Sequence, residues 1–150
     1  MAAMSDYLEN KIIDHLFRQV SFTAPTALFV GLYTATPSDT GGGTEVSTTN
    51  TGYGRAALAP STTNWAATNG ATTTSATSSG TSGTTSNNVA VTYGTPVSTN
   101  WGTVSFFGIF DATTAGNLLW WGALTAPKTI NVGDAAPSFA ISSLSLQVDN

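Results

Sequence analysis

The sequence predicts a mainly β protein, an antiparallel β-sandwich or barrel (jelly-roll or Ig-like), with one N-terminal amphipathic α-helix. Three observations predict this class. Short apolar runs, several with strand-like alternation, recur between turn-rich segments from residue 28 onward. No helical pattern lies between those runs, so a parallel α/β sheet is not expected. Charged side chains are scarce, at 8% of the chain, and five of them lie within the first eighteen residues.

The predicted helix covers residues 5–20. Asp6 followed by Glu9 has the spacing of a capping box, and Ser5 is the alternative N-cap. The apolar side chains of the segment recur at helical spacing and share one face, which is formed by Leu8, Ile12, Ile13, Leu16 and Phe17. We therefore expect an amphipathic helix that docks through this face.

The predicted strands follow one another without an intervening helix. The six-residue link DATTAG, residues 111–116, shares Asp111 with the predicted strand 103–111 and leads to the predicted strand 117–124. A link of this length that ends in glycine predicts a β-hairpin. The full set of predicted strands is 28–34, 53–60, 88–94, 103–111, 117–124, 128–133 and 138–148.

The chain length favours one β domain over residues 25–150, preceded by the helix and a connector over residues 1–24. Residues 61–87 are of low complexity, rich in Thr, Ser and Gly, with one Trp and no aliphatic residue larger than Ala. We interpret this segment as a long exposed loop or a loose hairpin tip, or alternatively as an arm that becomes ordered only against a partner.

Composition argues against several classes of partner. A net charge of −4 with only four basic residues argues against nucleic-acid binding, which needs clustered Lys and Arg. No apolar stretch approaches the ~20 residues of a membrane span, so no membrane partner is expected. The first residues show neither the basic nor the apolar region of a secretory signal. Since cysteine is absent, thiolate metal sites and cysteine nucleophiles are excluded.

The candidate catalytic residues are few and favour structural roles. His15 is the only histidine, and it lies on the predicted helix, so we interpret it as a structural residue. The scattered carboxylates of Asp39, Glu45, Asp111 and Asp134 are the remaining candidates for glycoside hydrolysis or an all-oxygen calcium site. Turn positions explain Asp111 and Asp134 better, and the glycines at 41–43 lack the lysine of a phosphate loop. We expect no catalytic residue, no metal and no cofactor.

Aromatic residues carry the stronger signal. Phe106 and Phe107, like Trp120 and Trp121, are consecutive and must point to opposite faces of their strands. One ring of each pair serves the core, and the other needs the helix or another subunit to cover it. An exposed Trp that binds carbohydrate is the alternative. The predicted interface residues are Leu8, Ile12, Leu16, Phe17, Trp65, Trp101, Phe106 and Trp120.

Several blocks of the sequence resemble a family of small tailed-bacteriophage virion proteins, often labelled tail fibre proteins. The blocks are SDYLENKIIDHLF, TAPTALFVGLYTATPSDTGGGTEVS, GYGR, TSNNVAVTYG, WGTVSFFGIFDATTAGNLLWWGAL and KTINVGD. They occur in this order and cover most of the chain apart from the low-complexity segment. The resemblance implies a non-enzymatic structural role on the virion.

Within that role, we expect a capsid-decorating (cement) protein that self-associates, with a trimer as one form, and binds the major capsid protein. The alternative is a tail-fibre, baseplate or adaptor component, with host-glycan binding as a further property. Either protein would be assembled in the host cytoplasm and carried on the virion.

Overall fold

The computed structural model describes residues 2–70 and 77–148, so residues 71–76 of the predicted loop and both chain ends lie outside it. The fold class is confirmed: the chain is mainly β, its strands pair antiparallel, and one helix lies near the N-terminus. In order, the elements are β1 (Ala3–Met4), α1 (Asp6–Phe17), β2 (Phe29–Ala35), β3 (Thr44–Glu45), β4 (Ala56–Ala57), β5 (Thr84–Ser86), β6 (Val91–Thr92), β7 (Gly102–Phe110), β8 (Leu118–Ile130), β9 (Ser138–Phe139) and β10 (Ser145–Gln147).

The principal layer is a six-stranded sheet with the order β1-β8-β7-β2-β3, in which β4 also pairs with β2. Its centre is the hairpin of β7 and β8, as predicted. The predicted strands 117–124 and 128–133 are one strand, β8, which is a correction. Between the pairs Val104↔Lys128 and Phe106↔Ala123 the register shifts, and residues 124–127 bulge opposite a single residue. Pro127 is tolerated there because the bulge interrupts the ladder of N–H donors.

Two two-stranded ribbons, β5 with β10 and β6 with β9, form the second layer. The predicted strands 88–94 and 138–148 are therefore too long. A turn interrupts 138–148, because the Ser143 N–H binds the Ala140 carbonyl at 3.1 Å and Ser142 has a φ of 63°. The predicted strand 53–60 is reduced to β4, because β3 occupies the rest of the same edge of β2. The two ribbons lie over the main sheet, and this arrangement is consistent with a β-sandwich.

The core lies between the sheet and the ribbons. Pairing of Val30 with Ile109, and of Leu32 with Phe107, places these four side chains on the same sheet face. That face packs against apolar side chains of the ribbons, namely Val91, Phe139 and Leu146, with Leu144 from the turn before β10. Burial of this apolar surface is the main favourable contribution to folding.

Helix α1 is anchored at its start and free at its end. Ser5, 1% exposed, is the N-cap: its Oγ accepts the Leu8 N–H at 3.3 Å and donates to the Leu118 carbonyl. The alternative N-cap was therefore correct and Asp6 was not. The helix ends at Phe17 rather than at residue 20, and of its apolar face only Leu8 is buried. Across residues 2–70 and 77–148, no helix is long and apolar enough to cross a membrane.

The low-complexity segment 61–87 is partly built into the fold. Trp65 forms a β-bridge with Asn87, and β5 pairs with β10. Ser86 is buried and Asn87 is completely so. The prediction of a loop therefore fails at the end of the segment, where residues 84–87 belong to the second layer.

Candidate interaction site

An apolar groove of about 350 Å³ opens beside the first turns of α1. We use "apolar groove" for this cavity. Helix α1 provides Leu8, the connector after the helix provides Phe22 and Pro25, and the sheet and the low-complexity segment provide Trp120 and Trp65. No charged side chain is among the described residues that line it. An apolar cavity of this size is suited to an apolar side chain rather than to a charged ligand.

Trp120 contributes only its ring to the groove. Its Nε1–H is buried and has no hydrogen-bond partner within residues 2–70 and 77–148. The other indoles are satisfied, since Trp65 donates to the Leu58 carbonyl at 3.3 Å and Trp121 donates to Asp39 Oδ1 at 3.0 Å. An indole that gives up its hydrogen bond carries a free-energy cost of ~1–3 kcal/mol, which buried donors rarely incur.

A second apolar surface lies at the end of α1. Ile13 is 50% exposed, Leu16 65%, Phe17 80% and Val20 50%. We call these four residues the helix tip. The tip is exposed because α1 packs on the sheet through its contact with β8, near the helix start. His15 helps to fix the connector that follows the helix, because its Nδ1 accepts the Phe22 N–H at 3.2 Å. Adjacent exposed apolar residues make the helix tip a candidate interaction site.

The structure brings most of the predicted interface residues into these two surfaces. Leu8, Trp65 and Trp120 line the apolar groove together. Leu16 and Phe17 belong to the helix tip, and Ile12 lies half-buried between the two surfaces on the same helix. Residues as far apart in the sequence as positions 8 and 120 therefore lie together beside α1.

The other two predicted residues lie elsewhere. Trp101 is a core residue, 4% exposed, whose Nε1 donates to the Thr51 carbonyl at 2.7 Å, so its ring is not at the surface of this chain. Phe106 lies on the opposite face of the sheet, next to Tyr33 and Trp121. The prediction that consecutive aromatic residues face opposite sides is confirmed. Phe107 belongs to the core and Trp120 packs against it, whereas Phe106 and Trp121 pack against the cluster on the opposite face.

Sequence reasoning missed the ion pair of Arg55 with Glu45, which organises that opposite face. The pair is bidentate, with Nε–Oε1 and Nη2–Oε2 distances of 2.8 Å. Arg55 Nη1 also donates to the carbonyls of Ala112 and Ala115, and the guanidinium lies 3.4 Å from the ring centroid of Phe110. One side chain therefore ties β3 and β4 to the turn between β7 and β8. The block GYGR contains Arg55, but its partners lie up to 60 residues away.

Buried tyrosines surround this ion pair. Burial, with a contribution from the nearby Glu45 carboxylate, raises the pKa of Tyr33 to about 12. Burial also raises the pKa of Tyr53 well above its ordinary value, although its hydroxyl accepts the Leu32 N–H. Tyr93 has a pKa raised in the same direction by burial. Burial acts to lower the pKa of Arg55, but the hydrogen bonds and charge of Glu45 outweigh it and raise that pKa.

A polar pocket of about 440 Å³ lies next to Arg55. Asp6 and Tyr7 of α1, Asp39, and Asn117 contribute polar groups to its wall. The wall is fixed by hydrogen bonds, because the Asp6 N–H binds the Asp39 carbonyl at 3.0 Å and Asn117 donates twice to Asp111. We use "polar pocket" for this cavity.

The scattered carboxylates have structural partners. Asp111 accepts the Asn117 N–H at 2.7 Å, and Asp134 accepts the Asn131 N–H at 2.7 Å, which are turn-stabilising bonds. Glu45 binds Arg55 and Tyr53. In the part of the chain that the structure describes, no three acidic or histidine side chains come together as a metal-ligand group.

The β body carries few charges and leaves two apolar surfaces, the apolar groove and the helix tip, open to water. The family model that matches the chain is described as "Podophage GP4 fiber I protein gp80", and it covers residues 3–147. The chain therefore belongs to this family of bacteriophage virion structural proteins, which confirms the resemblance. A search among curated proteins gives no match.

Proposed function

We propose that the chain is a non-enzymatic structural subunit of a podophage fibre, which contacts neighbouring virion proteins through the apolar groove and the helix tip. The observation that carries this proposal is the family match over residues 3–147, because its description names a fibre protein. The two apolar surfaces support it. A free monomer would leave Phe17 80% exposed and the groove open to water.

The first expectation from the sequence was capsid decoration, but the family description favours a fibre. Capsid decoration, with the major capsid protein as partner, is the competing proposal. In both, the chain is assembled in the host cytoplasm and binds copies of itself. Neither proposal assigns a reaction to the scattered carboxylates, whose hydrogen bonds are those of turns and of an ion pair.

Copy number and position on the particle separate the two proposals. We expect quantitative mass spectrometry of purified virions to find tens of copies, and antibody labelling in electron micrographs to mark the tail region. Hundreds of copies spread over the head would contradict the fibre proposal and favour capsid decoration. Absence of the chain from purified virions would contradict both proposals.

Host-glycan binding stays a prediction. Among the cavities described above, the polar pocket has the chemistry closest to a sugar site, because carboxylate, amide and phenol groups line it together with the ring of Phe110. The predicted exposed Trp platform has less support, since the indoles of Trp65 and Trp121 are only partly exposed and each already donates a hydrogen bond.

A further inference from the structure

We propose that the helix tip of one copy inserts into the apolar groove of a second copy, so that the chain assembles head to tail. This inference rests on the proposed function, and it names the partner of the same two surfaces. The contact joins Leu16 and Phe17 of one chain to the groove lined by Trp65 and Trp120 of the next.

The two surfaces match in chemistry. The groove offers about 350 Å³ of apolar space without a charged residue among those that line it. The tip offers the two most exposed large apolar side chains among the described residues, Phe17 at 80% and Leu16 at 65%. A ring inserted into such a groove is removed from water without burying an unpaired charge, which is the usual composition of an interface hot spot.

The charges beside the tip do not oppose this contact. Asp14 and Arg18 form an ion pair at 2.9 Å one helical turn apart, and both remain partly exposed. The pair can therefore stay at the rim of the interface, where charged groups keep their water. Other exposed apolar residues, such as Val97 and Val132, lie outside α1.

The tip cannot reach the groove of its own chain. Leu8 lies at the groove, and Phe17 follows it by nine residues along the same continuous helix. At 1.5 Å per residue this places Phe17 about 14 Å away along the axis. The occupant must therefore come from another molecule, and a second copy carries the required surface. Because the tip and the groove are different surfaces, the contact is heterologous and leads to a ring or an open array.

Two variants separate the two sides of the contact. Phe17→Asp destroys the tip and leaves the groove, whereas Ser61→Arg places a long charged side chain in the groove and leaves the tip. We expect light scattering after size exclusion to show an oligomer for the unchanged protein, and each variant to raise the dissociation constant at least ~tenfold. Circular dichroism should be unchanged, since Phe17 and Ser61 are both exposed. Val132→Asp, at a residue 49% exposed outside the tip, is the matched control and should assemble normally.

Mixing the variants is the decisive test. The intact tip of the Ser61→Arg chain should insert into the intact groove of the Phe17→Asp chain and form a one-to-one complex. Folded variants that do not combine would overturn the proposal, as would an unchanged protein that is monomeric at all concentrations. Pro25→Arg, also in the lining, replaces Ser61→Arg if the latter does not fold.

The outcome for virions distinguishes this inference from the proposed function. If the purified chain is monomeric but Phe17→Asp removes it from virions, the occupant is another virion protein, and only the head-to-tail inference fails. If both variants enter virions as the unchanged chain does and also assemble normally, the helix tip and the apolar groove are not contact surfaces. That result would contradict both proposals.

Discussion

At the scale of single residues, Asn87 shows how a polar side chain can hold the two ribbons of the second layer together. It is completely buried, and its Nδ2 donates to the carbonyls of Val89 and Ala140, each at 2.8 Å. Its Oδ1 accepts the Leu144 N–H at 2.8 Å. One side-chain amide therefore satisfies three backbone groups of the ribbon layer. Without it, these buried groups would have no hydrogen-bond partner.

Asn87→Ala should lower the free energy of unfolding by about 2–4 kcal/mol, because it leaves buried backbone groups without partners. Urea unfolding followed by circular dichroism measures the change. Asn10→Ala, on the exposed side of α1, is the control and should change stability by no more than about 0.5 kcal/mol. Equal effects of the two substitutions would show that the Asn87 amide is not essential to the packing.

Ser5 and Asn87 differ in how far the sequence alone could predict their roles. Ser5 was identifiable as an N-cap candidate because the cap and the N–H that it accepts are three residues apart. Asn87 was assigned to a loop because its partners lie as far as 57 residues away and its neighbours are Thr, Ser and Asn. A polar segment is predicted to be a loop, and this prediction is wrong where distant backbone groups satisfy the hydrogen bonds of its side chains.

At the scale of elements, Arg55 links the edge strands β3 and β4 to the hairpin turn. Its side chain is 8% exposed, and Glu45 is 24% exposed. The close approach of Phe110 depends on Gly31, where an added Cβ would lie 3.2 Å from the Phe110 ring and 3.0 Å from Glu45 Oε1. The sheet surface beneath the ion pair is thus shaped by a residue without a side chain.

Arg55→Ala should lower the free energy of unfolding by about 3 kcal/mol, because it leaves a mostly buried carboxylate unpaired. Hydrogen exchange should also become faster over residues 112–117, where Arg55 holds two carbonyls. Arg55→Lys keeps the charge but not the bidentate geometry, and an intermediate loss is expected.

Arg18→Ala is the matched control for this ion pair. Arg18 pairs with Asp14 across one helical turn with side chains 69% and 37% exposed, so its removal should change stability by no more than ~0.5 kcal/mol. A loss in Arg55→Ala as small as that in Arg18→Ala would contradict the structural role of Arg55.

At the scale of the whole molecule, packing on both faces of the main sheet buries tyrosines, and burial keeps their hydroxyls protonated. In the unfolded chain tyrosine titrates near pH 10, whereas in the folded chain the pKa of Tyr33 is about 12 and that of Tyr93 is also raised. The folded state therefore holds these protons to higher pH than the unfolded chain. Their contribution to stability is complete below about pH 10 and is lost as the pH rises through the folded pKa.

The free energy of unfolding should thus fall as the pH rises from about 10 to beyond 12. Urea unfolding across this range measures the slope. Tyr93→Phe removes one buried titrating group, so its slope should be shallower. Asn10→Ala, at an exposed residue of α1 that carries no titrating group, is the control and should leave the slope unchanged. A stability that does not change across this range would contradict the burial of these hydroxyls.

The sequence by itself determined the local features of this protein. Periodicity predicted the helix, the central hairpin and the opposite faces of Phe106 and Phe107, because each depends on residues a few positions apart. Only the tertiary structure decided that β8 is continuous, that residues 138–148 divide, and that Leu8, Trp65 and Trp120 form one groove. These features depend on pairing and packing between distant segments, whose register and contacts are set by the whole fold and leave no local pattern.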